Sequence, residues 1–344
     1  MGQIVLGIGT SHSPMLNATA EEWAWFAPRE PTIKLLDREG RHTSYEALVR
    51  EAAGRFDAEC TREKFAERHA RAQAALDRVS EEIRSAGLDA LIVVGDDQKE
   101  LFLEDNLPGL LVYRGRTVPH QARPPKPEWV DWFAAIQGRY YVPDGRIDFP
   151  ADHELASHLI DRLVDRGFDV SVSDRLPRGE GEGHAFAFVH RRLLRFDPVV
   201  PMVQVFINTY YPPNQPSPKR CYALGQALRA AVESYAGAAR VGILGSGGLS
   251  HFAIDEPFDR EIVRALQEKD ADALQRLPAN KLNSGNSEIR NWIAAAGAVE
   301  HLPLAWAEYV PAYRSPAGTG TGLCFAAWRA RLSASPESAH PFPG

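Results

Sequence analysis

Short apolar runs rich in valine and isoleucine, each cut off by a polar or glycine-rich cluster, constrain this chain more than any other feature. They fall at 3–9, 88–94, 168–172, 202–208 and 240–244, and their length and composition suit buried strands. Between them, 62–86, 154–166, 219–236 and 259–275 carry apolar residues three and four apart, the spacing of helices with one buried face. Strand alternating with helix predicts an α/β fold, with a central, mostly parallel sheet flanked by helices on both faces. At 344 residues the chain is near the size at which one core stops growing. The expectation is a single elaborated domain over 1–332, followed by a disordered tail at 333–344 that contains Pro336, Pro341 and Pro343. The proline-rich stretch 212–218 reads as a rigid loop leading into the helix at 219, not as a linker.

Several function classes drop out. The 39 Lys and Arg against 45 Asp and Glu give a net charge of −6, so no basic excess points to nucleic acid. No apolar stretch approaches the roughly 20 residues that span a bilayer. The apolar start, 1–16, lacks a basic segment and a small-residue cleavage site, so neither export nor a membrane is expected. Cys60, Cys221 and Cys324 form no CxxC pair, which argues against a zinc ribbon or a disulfide scaffold and favours a reducing cytoplasm. Gly7-Ile8-Gly9 opens like a dinucleotide fingerprint but has His12 where the third glycine belongs, and Gly245-Ser246-Gly247 fails in the same way at Ser250. Gly248-Leu249-Ser250-His251-Phe252 lacks the second glycine of a serine-nucleophile elbow.

Ligands of open parallel sheets sit beyond the carboxyl ends of the strands. The segments at those ends are unusually polar: Thr10-Ser11-His12-Ser13-Pro14, Gly95-Asp96-Asp97-Gln98, Gly181-Glu182-Gly183-His184 and Gly245-Ser246-Gly247-Gly248-Leu249-Ser250-His251. Each of His12, His184 and His251, taken alone, reads as a hydrogen-bonded or solvated histidine. Three at three strand ends favour a site. Glu288, within Asn283-Ser284-Gly285-Asn286-Ser287-Glu288-Ile289-Arg290-Asn291-Trp292, falls in the first turn of a helix, where the macrodipole alone would favour a glutamate.

Together these segments, with Pro216-Ser217-Pro218-Lys219-Arg220-Cys221-Tyr222-Ala223-Leu224-Gly225, resemble the type II extradiol ring-cleaving dioxygenases, also called class III. That family is typified by the catalytic subunit of protocatechuate 4,5-dioxygenase, and the gallate and 3-O-methylgallate branch looks closest. The resemblance implies a non-haem Fe(II) held by two histidines and a glutamate, with open positions for a small aromatic diol and for O₂. It implies His12 and Glu288 as ligands and His184 as acid/base, a role that an imidazole of ordinary pKa near 6.5 can fill. It places His251 in the pocket wall or in support of the ligands.

The chain departs from the pattern at Gln98, which stands where the family has its second histidine ligand. An amide oxygen is a weaker donor than imidazole. An insert at about 18–87 contains His42, ahead of the helix-cap pair Thr43-Ser44, and His69. The third ligand is left open between His42 and Gln98, with His69 behind them. Trp23, Trp25, Phe26, Tyr210 and Tyr211 could stack on a phenolic ring or simply pack the core. Arg220 or Lys219 could pair with a substrate carboxylate or lie on the surface. The expected activity is opening of a catecholic or gallate-like acid. The alternatives are a metal-binding or interaction protein on the same fold without oxygen chemistry, and a metal-assisted hydrolase. Interfaces leave no clear mark in the sequence, and a homodimer is kept only as a guess.

Overall fold

The computed structural model describes residues 1–330 except 198, 199 and 238; the expected tail at 333–344 lies outside them. The strands are β1 (Gln3–Thr10), β2 (Leu35–Leu36), β3 (His42–Thr43), β4 (Ala90–Gly95), β5 (Leu110–Tyr113), β6 (Thr117–Gln121), β7 (Arg146–Pro150), β8 (Ser171–Ser173), β9 (Met202–Ile207), β10 (Arg240–Ser246), β11 (Leu304–Tyr313) and β12 (Gly320–Arg329). The helices are α1 (Tyr45–Ala52), α2 (Arg62–Ser85), α3 (Asp131–Gly138), α4 (His153–Asp165), α5 (His184–Phe188), α6 (Pro218–Ser234), α7 (Glu256–Glu268), α8 (Ala271–Gln275) and α9 (Ile289–Ala298).

Eight strands form one sheet in the order β11-β12-β1-β10-β4-β9-β5-β8. Its centre is parallel, β1 on β10, β10 on β4 and β4 on β9. The expected mostly parallel α/β sheet is therefore present. β5 runs antiparallel to β9, and the β11–β12 hairpin closes the other edge antiparallel to β1. That hairpin escaped the sequence reading because β12, Gly-Thr-Gly-Leu-Cys-Phe-Ala-Ala-Trp-Arg, has neither the alternation of a half-exposed strand nor a Val/Ile run. The run at 168–172 is ordered as strand only in β8 at the far edge. The helix expected over 259–275 is broken. Lys269 takes a left-handed conformation at φ 56°, and the Asp270 side chain caps α8 by accepting from the Ala273 N–H.

Each central strand is buried on both faces. In β4, Leu91 and Val93 join one apolar cluster with α2 and α5, while Ile92 and Val94 join the other with α4, α6 and α9. β1 switches faces between Ile4 and Leu6, where its pairing to β10 is irregular. α2, which falls within the expected insert at 18–87, packs on β1, β11 and β12 as part of this core.

Parallel pairing aligns Gly9, Gly245 and Val94 in one row, so the chain leaves β1, β10 and β4 at one rim. α9 lies directly against that row: a Cβ on Gly9 would fall 2.1 Å from Trp292, and one on Gly245 would fall 2.7 Å from the Asn291 carbonyl oxygen. The glycines of the failed dinucleotide fingerprint thus admit a helix, and its N-terminal end brings Glu288 to the rim.

Candidate metal centre

His12 follows β1, Asp96 follows β4, and Glu288 precedes α9. One ligating atom from each lies within 4.8 Å of the others, and all three residues are buried. The Ser246 hydroxyl donates its single proton to the Ala185 carbonyl at 2.8 Å. Its oxygen, 2.9 Å from His12 Nδ1, must then accept, so Nδ1 carries the proton. The His12 Nε2 lone pair is left buried, without a hydrogen-bond partner, 3.6 Å from Glu288 Oε1. A donor set of two carboxylates and one orphaned imidazole lone pair, all withdrawn from water, is what a divalent cation requires.

Glu288 Oε2 accepts the Gly248 N–H at 2.7 Å, and Oε1 accepts Gln98 Nε2 at 3.0 Å. Burial pushes the Glu288 carboxyl up, yet the imidazoles of His12 and His251 beside it together hold it well below the usual range. Burial and then the charge of Glu288 raise Asp96 to about 6. Asn291 Nδ2 bonds both Asp96 Oδ1 and the Ser246 carbonyl, which joins α9 to two strand ends.

His184 begins α5, its backbone N–H and Nδ1 both 2.9 Å from Glu100 Oε2. Burial lowers the imidazole, but the charge and hydrogen bond of Glu100 outweigh it and raise His184 to about 9. The expectation of an unperturbed histidine is corrected by a carboxylate two residues beyond Gln98. The His12 and His184 rings meet edge-on at 4.8 Å. The loop leading to His184 is fastened below by Glu182, which accepts from His120 Nδ1 at 2.8 Å, His190 Nδ1 at 2.7 Å and Gln204 Nε2 at 2.8 Å. The Val142 N–H donates to His120 Nε2, so His120 Nδ1 keeps its proton and this second His/Glu cluster is a hydrogen-bond network with no free lone pair on Nδ1.

His12, Gln98, His184, His251 and Glu288 line one cavity of about 210 Å³. His251 gives its Nδ1 proton to the Leu249 carbonyl and faces Glu288 Oε1 across 3.6 Å. Gln98 meets the carboxylates of Asp96 and Glu288 through its amide nitrogen, as a donor. His42 does not line the cavity: it sits exposed in the β2–β3 hairpin, where it pairs with Leu36. His69 bonds the Ala18 carbonyl from α2. Phe26 and Tyr210 reach the cavity wall, Trp23 is core, and Trp25 is 46% exposed. Arg220 is spent on the Gly167 carbonyl and the Phe168 ring, and neither it nor Lys219 lines the cavity. Asp96 and Glu100 have no assigned role in the sequence reading; Asp96 carried a signal, since it stands with Asp97 directly after a buried strand, and Glu100 carried none.

Residues 62–323 match the family described as the catalytic LigB subunit of aromatic ring-opening dioxygenase. A stretch of 118 residues, 34% of the chain, is 34% identical to 2,3-dihydroxyphenylpropionate/2,3-dihydroxicinnamic acid 1,2-dioxygenase of Comamonas testosteroni. That stretch covers only 35% of the relative's length. The family match contains Asp96, Glu100, His184, His251 and Glu288 but starts after His12, which joins them through the β1–β10 pairing. On the breadth of that match, three quarters of the chain, the protein belongs to the LigB family of aromatic ring-opening dioxygenase catalytic subunits.

Proposed function

We propose that this chain opens the aromatic ring of a small catecholic or gallate-like acid with O₂, using Fe(II) held by His12, Glu288 and Asp96. The observation that carries the reading is the buried, unpartnered His12 Nε2 beside two carboxylates at the family's strand-end rim. Asp96 takes the third place that the sequence left between Gln98 and His42. When bound, ferrous ion supplies the one-electron chemistry that a closed-shell diol needs to combine with dioxygen. His184, charged near neutral pH and held by Glu100, gives a proton to one of the two added oxygens as the O–O bond breaks and recovers one from a hydroxyl of the next diol. His251 supports the site beside Glu288, its Nε2 3.6 Å from the same Oε1 that His12 faces. The relative from Comamonas testosteroni acts on diols that carry an acid side chain, in keeping with an acidic substrate here. The catalytic unit is the single elaborated domain. No helix of the described residues is long and apolar enough to cross a membrane, and Cys60, Cys221 and Cys324 are unpaired, which supports a reducing cytoplasm.

The test is anaerobic loading with Fe(II), then air and a panel of 3,4-dihydroxybenzoate, gallate and 3-O-methylgallate. Oxygen uptake with a ring-fission absorbance is expected; full metal occupancy without turnover of any diol would overturn the reading. A second reading has one specific support. Two carboxylates and a single imidazole form a harder donor set than two histidines and a glutamate, and would also suit a redox-silent cation. Binding of Mn(II) or Mg(II) in preference to Fe(II), with no oxygen uptake, would favour it.

A further inference from the structure

The same cavity carries positive charge that the ring-opening reading does not use. Arg29 lies in the short helical turn Ala27–Thr32, ahead of the stretch that matches the family, and lines the wall with Lys126 and Arg314. Arg314 is committed: its Nε donates to Glu30 at 2.6 Å and the pair is buried. Arg29 is half-buried and, among the described residues, forms no ion pair and no side-chain hydrogen bond. Of the carboxylates that act on it, Glu30 is taken by Arg314, and Glu128 makes no ion pair with it. The face of Phe133 lies 3.9 Å from its guanidinium carbon. Among the described residues Lys126 likewise forms no ion pair, and its Nζ lies 5.7 Å from the Trp129 ring centre.

A guanidinium partly withdrawn from water and left without an anion is open to one, and its planar fork matches a carboxylate. Phe133 and Trp129 beside it, ring centres 5.4 Å apart, give an aromatic ring a surface to pack on. The geometry points to Arg29, assisted by Lys126, as the group that selects ligands bearing a carboxylate, holding the acid arm of an aromatic substrate in the cavity that His12, His184 and Glu288 also line. This rests on the ring-opening reading for the identity of the substrate but not for the binding of the anion.

The test uses 4-hydroxybenzoate and its methyl ester, a pair that differs in charge and has no vicinal diol, with binding followed by calorimetry on the full chain. The wild type is expected to favour the acid by about tenfold or more. Arg29→Gln should bring the two ligands within about threefold by weakening the acid alone, Arg29→Lys should retain part of the preference, and Arg29→Gln/Lys126→Gln should abolish it. Unchanged binding of the ester shows that the cavity is intact in each variant. Equal affinity for acid and ester in the wild type, or a preference that survives the double substitution, overturns the proposal. An Arg29-dependent preference in a protein that consumes no oxygen with any diol leaves the anion subsite standing and removes the ring-opening reading. Oxygen uptake with equal kcat/KM for catechol and 3,4-dihydroxybenzoate removes the subsite alone.

Discussion

Ser246 sets the tautomer of His12. Its proton is spent on the Ala185 carbonyl, so its oxygen can only accept from Nδ1, and the His12 lone pair is left on Nε2, facing Glu288. Two adjacent parallel strands, β1 and β10, bring the pair together at matched positions of the register, Thr10 opposite Ser246.

Replacing Ser246 by alanine removes that constraint without touching a ligand. Iron affinity should fall by about 10- to 100-fold, while the protein loses on the order of 1–3 kcal/mol of stability from the unpaired groups. Metal titration against a chromogenic chelator, with urea unfolding in parallel, separates the two effects; wild-type affinity in Ser246→Ala would remove the assigned tautomer.

The third ligand is decided by bound iron in single variants. Asp96→Asn, His12→Ala and Glu288→Gln should each lose iron. Gln98→Ala should lower affinity only modestly, because its amide nitrogen supports the carboxylates. His42→Ala should leave iron content unchanged, since that side chain lies exposed in the hairpin.

Glu100 and His184 make stability depend on pH in a defined window. Glu100, pulled to about 2 from 4.5, contributes stability that is complete above pH 4.5 and lost as pH falls through 2. His184, raised to about 9 from 6.5, contributes stability that is complete below pH 6.5 and lost as pH rises through 9. Glu100→Gln in metal-free protein should therefore cost most between these limits, about 3 kcal/mol at pH 6, and the gap to wild type should narrow toward pH 9.5. Denaturant midpoints at the two pH values measure it, and a gap constant with pH would contradict the pairing.

Gly9→Ala links the core to the site. The new Cβ would meet the Trp292 ring at 2.1 Å, and α9 must move off the sheet to admit it. A loss of about 1–3 kcal/mol is expected, with weaker iron binding because Glu288 stands at the end of the displaced helix. A variant with wild-type stability and wild-type iron binding would show that the helix does not position the carboxylate.

The order of strands and helices, the polar rim, and four of the side chains that meet there were legible because a doubly buried strand is a continuous apolar run whose end is easy to see. His12, His184, His251 and Glu288 stood out as chemically active types at such ends. Hydrogen-bond direction and depth were not legible. The acceptor role of Ser246, the rise of His184 under Glu100 and the gathering of Asp96 with His12 and Glu288 arise between residues far apart in the chain. Periodicity records which face a residue turns to the core. Only the folded chain decides which lone pair is left without a partner, since that depends on where every neighbouring proton has already gone.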